Sequence, residues 1–164
     1  MDNEVIEVIK ETKHLGVIVT DNLSRDTNTM SLVTRANARM RLLHKLVNFG
    51  VSVPDLVNIY VLYVRSILKQ SCQVWHSSLT QEKSQNLERV QKTAMKIILQ
   101  NDYQSYHTSL EQTGLSTLSE RRSKLCLSFA KKCLKHPEMK LMFPINTQNK
   151  KTRCLEKINV INVM

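Results

Sequence analysis

The chain has 164 residues, 41% of them apolar, with only three Gly and three Pro. That length suits a single domain, and the composition excludes a disordered linker for most of it. The net charge is +10 and unevenly placed: −3 over residues 1–28, +4 over 29–120 and +9 over 121–164. A basic surface on a folded chain points to a polyanion, nucleic acid first; a solvated, solubilising surface is the plainer alternative. No stretch approaches the roughly 18 consecutive apolar residues of a membrane-spanning helix. Met1-Asp2-Asn3-Glu4 lacks the basic and apolar regions of a signal peptide. The expectation is an intracellular protein with reduced thiols, in nucleus or cytoplasm, with no membrane partner.

Val5–Ile9 and Lys13–Val19 are apolar and β-branched and read as two strands of one hairpin, joined across Lys10-Glu11-Thr12. Gly16 lies inside the second strand, where a missing side chain leaves room for a close approach to the backbone. Thr20–Ser24 is a loop. A first helix is expected over about 27–49, capped by Ser24 or Asp26 and stopped by Gly50. Val33, Ala36, Met40, Leu43 and Val47 recur at three- and four-residue spacing as its buried stripe. Arg35 and Arg39 lie one turn apart on another face, and Arg41 with Lys45 forms a second basic pair.

Pro54 suits the first turn of a second helix, with Asp55 favourable beside it. Leu56, Val57, Tyr60, Val64, Ile67 and Leu68 make an apolar face broad enough to be buried on more than one side. Trp75, the only Trp, reads as a core anchor rather than a stacking platform. A third helix runs from about Thr80 to Leu99, with Leu87, Val90, Ala94 and Ile97 inward and Arg89, Lys92 and Lys96 on an adjacent face. A short helix over Ser105–Thr113 stops at Gly114. Thr117-Leu118-Ser119-Glu120 matches the capping-box pattern and opens a helix to about His136. Leu118, Leu125, Phe129 and Cys133 are its expected core positions, and it is the most basic segment. Cys126, Cys133 and His136 have helical spacing, but no CxxC pair accompanies them, so they read as core rather than metal ligands. The tail beyond Phe143 matches no clear helix and is expected to be loosely ordered.

Four separated stretches resemble one family. Thr12-Lys13-His14-Leu15-Gly16-Val17 resembles the "K-Y-L-G-V" strand that closes the palm of reverse transcriptases, with His14 where the family commonly has Tyr or Phe. Leu56-x3-Tyr60-x4-Arg65-Ser66-Ile67-Leu68, ending in Val74-Trp75, is similar to the "L-x3-Y-x3-V-R-S/P-I-L-x-Y-x3-V-W" run that follows it. Leu87–Ile98 resembles "L-E-x-V-Q-R-x-A-x-R-I-I", and Leu115–Arg122 resembles "G-L-P-S-L-x-x-R-R". The family is the reverse transcriptase of non-LTR, LINE-type retrotransposons, in its portion C-terminal to the active site.

The resemblance implies a mainly α fold: an N-terminal β-hairpin left from a palm, then a thumb-like bundle of about four to five helices. Its expected parts are the hairpin at 1–24, the thumb-like and post-thumb helices at 25–137 and a basic tail at 138–164. It implies a hairpin near the primer terminus and a helix along a primer–template duplex, touching phosphates and sugars rather than bases. The residues it points to are Lys13, Leu15, Gly16, Arg35 and Arg39, then Arg89, Lys92 and Lys96, then Arg121 and Arg122. For the last two, salt bridging inside the fold is the alternative. Polymerase chemistry needs paired carboxylates for two metal ions. The family's Y/F-x-D-D is absent here, and the five Asp are scattered. The expectation is therefore a non-catalytic, cofactor-free fragment that binds RNA–DNA or DNA backbone, with the missing fingers and palm as a further partner. A helical protein-interaction module, or a retroelement remnant with no selected role, is the alternative.

Overall fold

The computed structural model describes residues 9–141. It is mainly helical behind an N-terminal antiparallel hairpin, as the sequence suggested. The hairpin itself is displaced from its expected place. Strand β1 is Glu11–His14 and strand β2 is Val17–Thr20, paired from Glu11 with Thr20 to His14 with Val17. Leu15 and Gly16 are the two-residue turn, with φ of 47° and 82°. Positive φ at both central positions is the pattern of a type I′ turn, whose twist matches that of paired strands. The expected strand Lys13–Val19 is thus folded in half, and Lys10–Thr12 is not the turn. Val5–Val8 lies outside the described residues, and Ile9 belongs to neither strand. Strand β1 is exposed at every residue, while Val17 of β2 is buried.

Helix α1, Asp26–Asn48, lies against β2. Neither Ser24 nor Asp26 is its N-cap; Arg25 takes that position without a side-chain cap. Ser24 Oγ instead accepts from the Asp26 amide at 3.2 Å. The side chain of Asn28, buried in the first turn, accepts from the Ile18 amide at 3.1 Å and ties hairpin to helix. Leu32, Ala36, Met40 and Leu43 face the core, and Gly50 follows the helix end at φ 73°.

Helix α2, Val53–Ile59, is capped by Ser52, whose Oγ accepts from the Asp55 amide. It runs without a break into a π turn at Tyr60–Val64 and then α3, Arg65–Leu68. The π turn closes on a bond from the Arg65 amide to the Tyr60 carbonyl. One extra residue per turn shifts the facing set, so Tyr60, Val64, Arg65, Ile67 and Leu68 are all buried. After a turn at 69–71 comes α4, Cys72–Trp75, with Cys72 and Trp75 inside and Val74 exposed. Helix α5, Gln81–Leu99, packs along α1 and buries Leu87, Val90, Ala94 and Ile97 as expected, with Met95 and Ile98 beside them.

Helix α6, Tyr106–Thr113, is capped by Ser105 and ended by Gly114 at φ 64°. Helix α7, Leu118–Lys135, is capped by Thr117, whose Oγ1 accepts from the Glu120 amide at 3.1 Å. Leu118 and Cys133 are buried, but Phe129 is 45% exposed, against expectation. The core cluster takes in Leu118, Leu125 and Cys126 of α7 and stops short of Phe129. Helix α8, Pro137–Leu141, follows, so residues 138–141 are ordered helix rather than loose tail. The remainder of the expected tail, 142–164, lies outside the described residues.

Candidate nucleic-acid interface

The sequence-predicted residues fall into three places. The first is a groove of about 450 Å³ between α1 and the α3–α4 corner. Arg35 and Arg39 line it, one helical turn apart because their neighbours Ala36 and Met40 are fixed in the core. Lys69, Gln70 and Ser71 form its opposite wall, and Ile67 and Leu125 contribute apolar surface. Among the described residues, no carboxylate lines it.

Each arginine in the groove is held. Arg35 Nη2 donates to Gln70 Oε1 at 3.1 Å. Arg39 Nη1 donates to the Tyr63 carbonyl at 2.8 Å, and its guanidinium lies 4.3 Å over the Tyr63 ring. Such a stack fixes a flat cation while leaving its other edges to an anion. Ser71 has φ 49°, so the turn that presents Lys69 and Gln70 bends sharply. The hairpin tip seats on the same wall: a Cβ on Gly16 would lie 2.5 Å from Gln70 Nε2. Leu15 beside it is 86% exposed, and Lys13 projects from the exposed strand β1. The glycine's close approach is therefore to a protein side chain of this fold.

Helix α5 carries the second set. Arg89 Nη1 donates to Asn86 Oδ1 at 2.9 Å and lines a separate groove of about 470 Å³ between α1 and α5. That groove is mixed in charge, since Asp26 and Glu82 line it with Lys83, and Lys83 pairs with Asp26. The pairing holds the Asp26 carboxyl below its ordinary range, mainly through the Lys83 hydrogen bond and then that of Ser24. Lys92 and Lys96 lean over Tyr106 and Tyr103, at 5.2 and 5.6 Å from the ring centroids. Of these three cations only Arg89 lines the α1–α5 groove, and no residue is common to that groove and the one that holds Arg35 and Arg39.

The third pair divides. Arg121 is exposed. Arg122 is fully buried, so no phosphate reaches it, and the expectation of a nucleic-acid contact there is corrected. Its place is set by helical phase: it is four residues after Leu118, on the inward stripe of α7. It donates to Ser84 Oγ at 3.2 Å and lies 5.9 Å from the Trp75 ring. Burial lowers its pKa, partly offset by the negative charge of Glu88. The salt-bridge alternative is not what it does either, for no carboxylate among the described residues pairs with it.

A buried polar network escaped the sequence reading. Gln91, fully buried, accepts from the Tyr60 hydroxyl at 2.9 Å and donates to the Tyr106 hydroxyl and the Ser116 carbonyl, each at 3.0 Å. Tyr106 also donates to Glu88, which accepts from the Leu118 amide at 3.0 Å. Arg65 Nη2 donates to the Ser116 carbonyl at 2.7 Å. Burial drives both tyrosine hydroxyls further from ionisation, and at Tyr106 the Glu88 bond adds to it. The sequence signal was Gln91 between Val90 and Ala94, a polar residue at an inward helical position. Lys69, Gln70 and Ser71 were also missed, though they are the longest polar break between Leu56 and Trp75.

Among the described residues, no three His, Cys, Asp or Glu stand close enough to hold a metal ion. No described helix is long and apolar enough to cross a membrane. No family model, curated protein or solved structure matches the chain.

Proposed function

We propose that this chain is a non-catalytic helical piece, similar to the thumb region of a LINE-type reverse transcriptase, that binds nucleic-acid backbone in the Arg35–Arg39–Lys69 groove. The observation that carries the reading is three cations and no carboxylate on one concave surface of the described residues. Two of them are held in fixed geometry by Gln70 and Tyr63, which lowers the entropy cost of meeting an anion. The hairpin that the resemblance assigns to the primer strand packs on the same wall. Such contacts go to phosphates and are blind to sequence. The interaction-module alternative would draw on exposed apolar side chains. Leu15, Met30, Phe49, Leu62 and Leu141 are exposed, but they are spread over the hairpin, α1, the turn after it, the π turn and α8.

A titration of a labelled RNA–DNA hybrid at about 50 and about 200 mM salt tests this. Three phosphate contacts give log K a slope of about −2 to −3 against log salt. Arg35→Glu with Arg39→Glu removes most of that slope and weakens binding at least about tenfold at the lower salt. Unchanged affinity and slope in the double variant, with an unchanged melting curve, overturns the proposal.

A further inference from the structure

Helix α7 presents cations in a pattern that the groove alone does not use. At 100° per residue, Lys132, Arg121, Lys135, Lys124 and Lys131 fall in an arc of about 100° that begins roughly 20° from Leu125. Leu125 lines the Arg35–Arg39–Lys69 groove. All five cations are exposed, and among the described residues none of them has an ion-pair partner. From Arg121 to Lys135 no acidic residue intervenes; Glu120, just outside the arc, sits in the first turn, where a carboxylate suits the helix N-terminus.

We infer that this band is a second phosphate-binding surface, continuous with the groove, and that the partner it fits is a nucleic-acid duplex lying along α7. The inference rests on the groove reading proposed above. The rise along the helix from Arg121 to Lys135 is about 21 Å. That length matches about six base-pair steps along a duplex axis. The band therefore lengthens the footprint rather than strengthening contacts already made in the groove. Vesicle surfaces fit less well. A helix lying on a lipid surface buries an apolar face, and the apolar face of α7 is turned into the protein through Leu118 and Cys133. Phe129 is the one large apolar side chain that α7 exposes.

The test compares the full chain with Lys124→Glu/Lys131→Glu/Lys135→Glu, its Lys→Gln counterpart, and the groove double variant. The probes are RNA–DNA duplexes of about 8 and about 20 base pairs, each at about 50 and about 200 mM salt. The band variants are expected to lower the salt slope on the long duplex by about 2 and to lower it less on the short one. The groove variant weakens both lengths. Band variants with an unchanged slope on the long duplex overturn this inference, and a loss confined to the groove variant then leaves the groove reading standing. If neither variant changes binding, both readings fall. A band variant that loses only its adsorption to phosphatidylserine vesicles assigns the band to a lipid surface and also overturns the inference.

Discussion

At Arg122 a guanidinium sits under Trp75, and among the described residues its Nε and Nη1 have no hydrogen-bond partner. A buried charge without a paired carboxylate is costly, and an apolar side chain of similar length is often tolerated in its place. Arg122→Met is therefore expected to match the parent chain in urea denaturation within about 1 kcal/mol, or to exceed it. Its affinity for a hybrid duplex is expected to be unchanged, since the side chain is out of reach of solvent. A loss above about 3 kcal/mol would mean that the guanidinium is satisfied in solution after all. Arg121, the adjacent residue, is exposed. Two neighbouring arginines that look alike in the sequence thus differ in role because 100° of helical rotation separates them.

Among the elements, the hairpin shows how one residue decides register. Gly16 holds φ 82° in a turn and leaves room for Gln70. Alanine there must adopt a conformation that L side chains rarely take and must push the Gln70 amide aside. Gly16→Ala is expected to destabilise by about 1–2 kcal/mol in thermal melts. The Gln70 end is flexible, so adding Gln70→Ala removes the crowding but not the φ penalty. The double variant is expected to stay below Gln70→Ala alone by about 1 kcal/mol; equality between those two would show the turn to be unstrained. The same displacement would free Arg35 from its Gln70 contact, which links hairpin geometry to the groove. The π turn plays a comparable part in the second helix: one inserted residue brings Arg65 inward to Ser116 and places Tyr63 under Arg39.

For the molecule as a whole, α1 and α5 are the main packed pair, and Lys83–Asp26 closes one end of their contact. The pair depresses the Asp26 pKa below its ordinary 3.8. A depressed carboxylate pKa stabilises the fold above the unfolded value, and that contribution is lost as pH falls through the lower, folded one. Asp26→Asn is accordingly expected to lower the urea midpoint slightly at neutral pH, by an amount that shrinks to nothing well below pH 3.8. A difference that persists in acid would show that the ionised carboxylate is not the source of the effect. Both partners keep some exposure to solvent, so salt should narrow the gap as well.

Sequence periodicity by itself placed helices α1, α5 and α7, since the spacing of Ala36, Met40 and Leu43, of Leu87, Val90 and Ala94, and the cap at Thr117 are local properties of the chain. It also determined that Arg35 and Arg39 share a face, because residues one turn apart must. Three things depended on the tertiary structure. Where the hairpin docks depended on Asn28 and Gln70, which lie outside the strands and to which no strand pattern points. The fate of Arg122 depended on which side of α7 met α4 and α5. The groove depended on a turn at 69–71 being brought opposite α1. Each is a contact between segments far apart in the chain, and local spacing carries no information about which partner a face will meet.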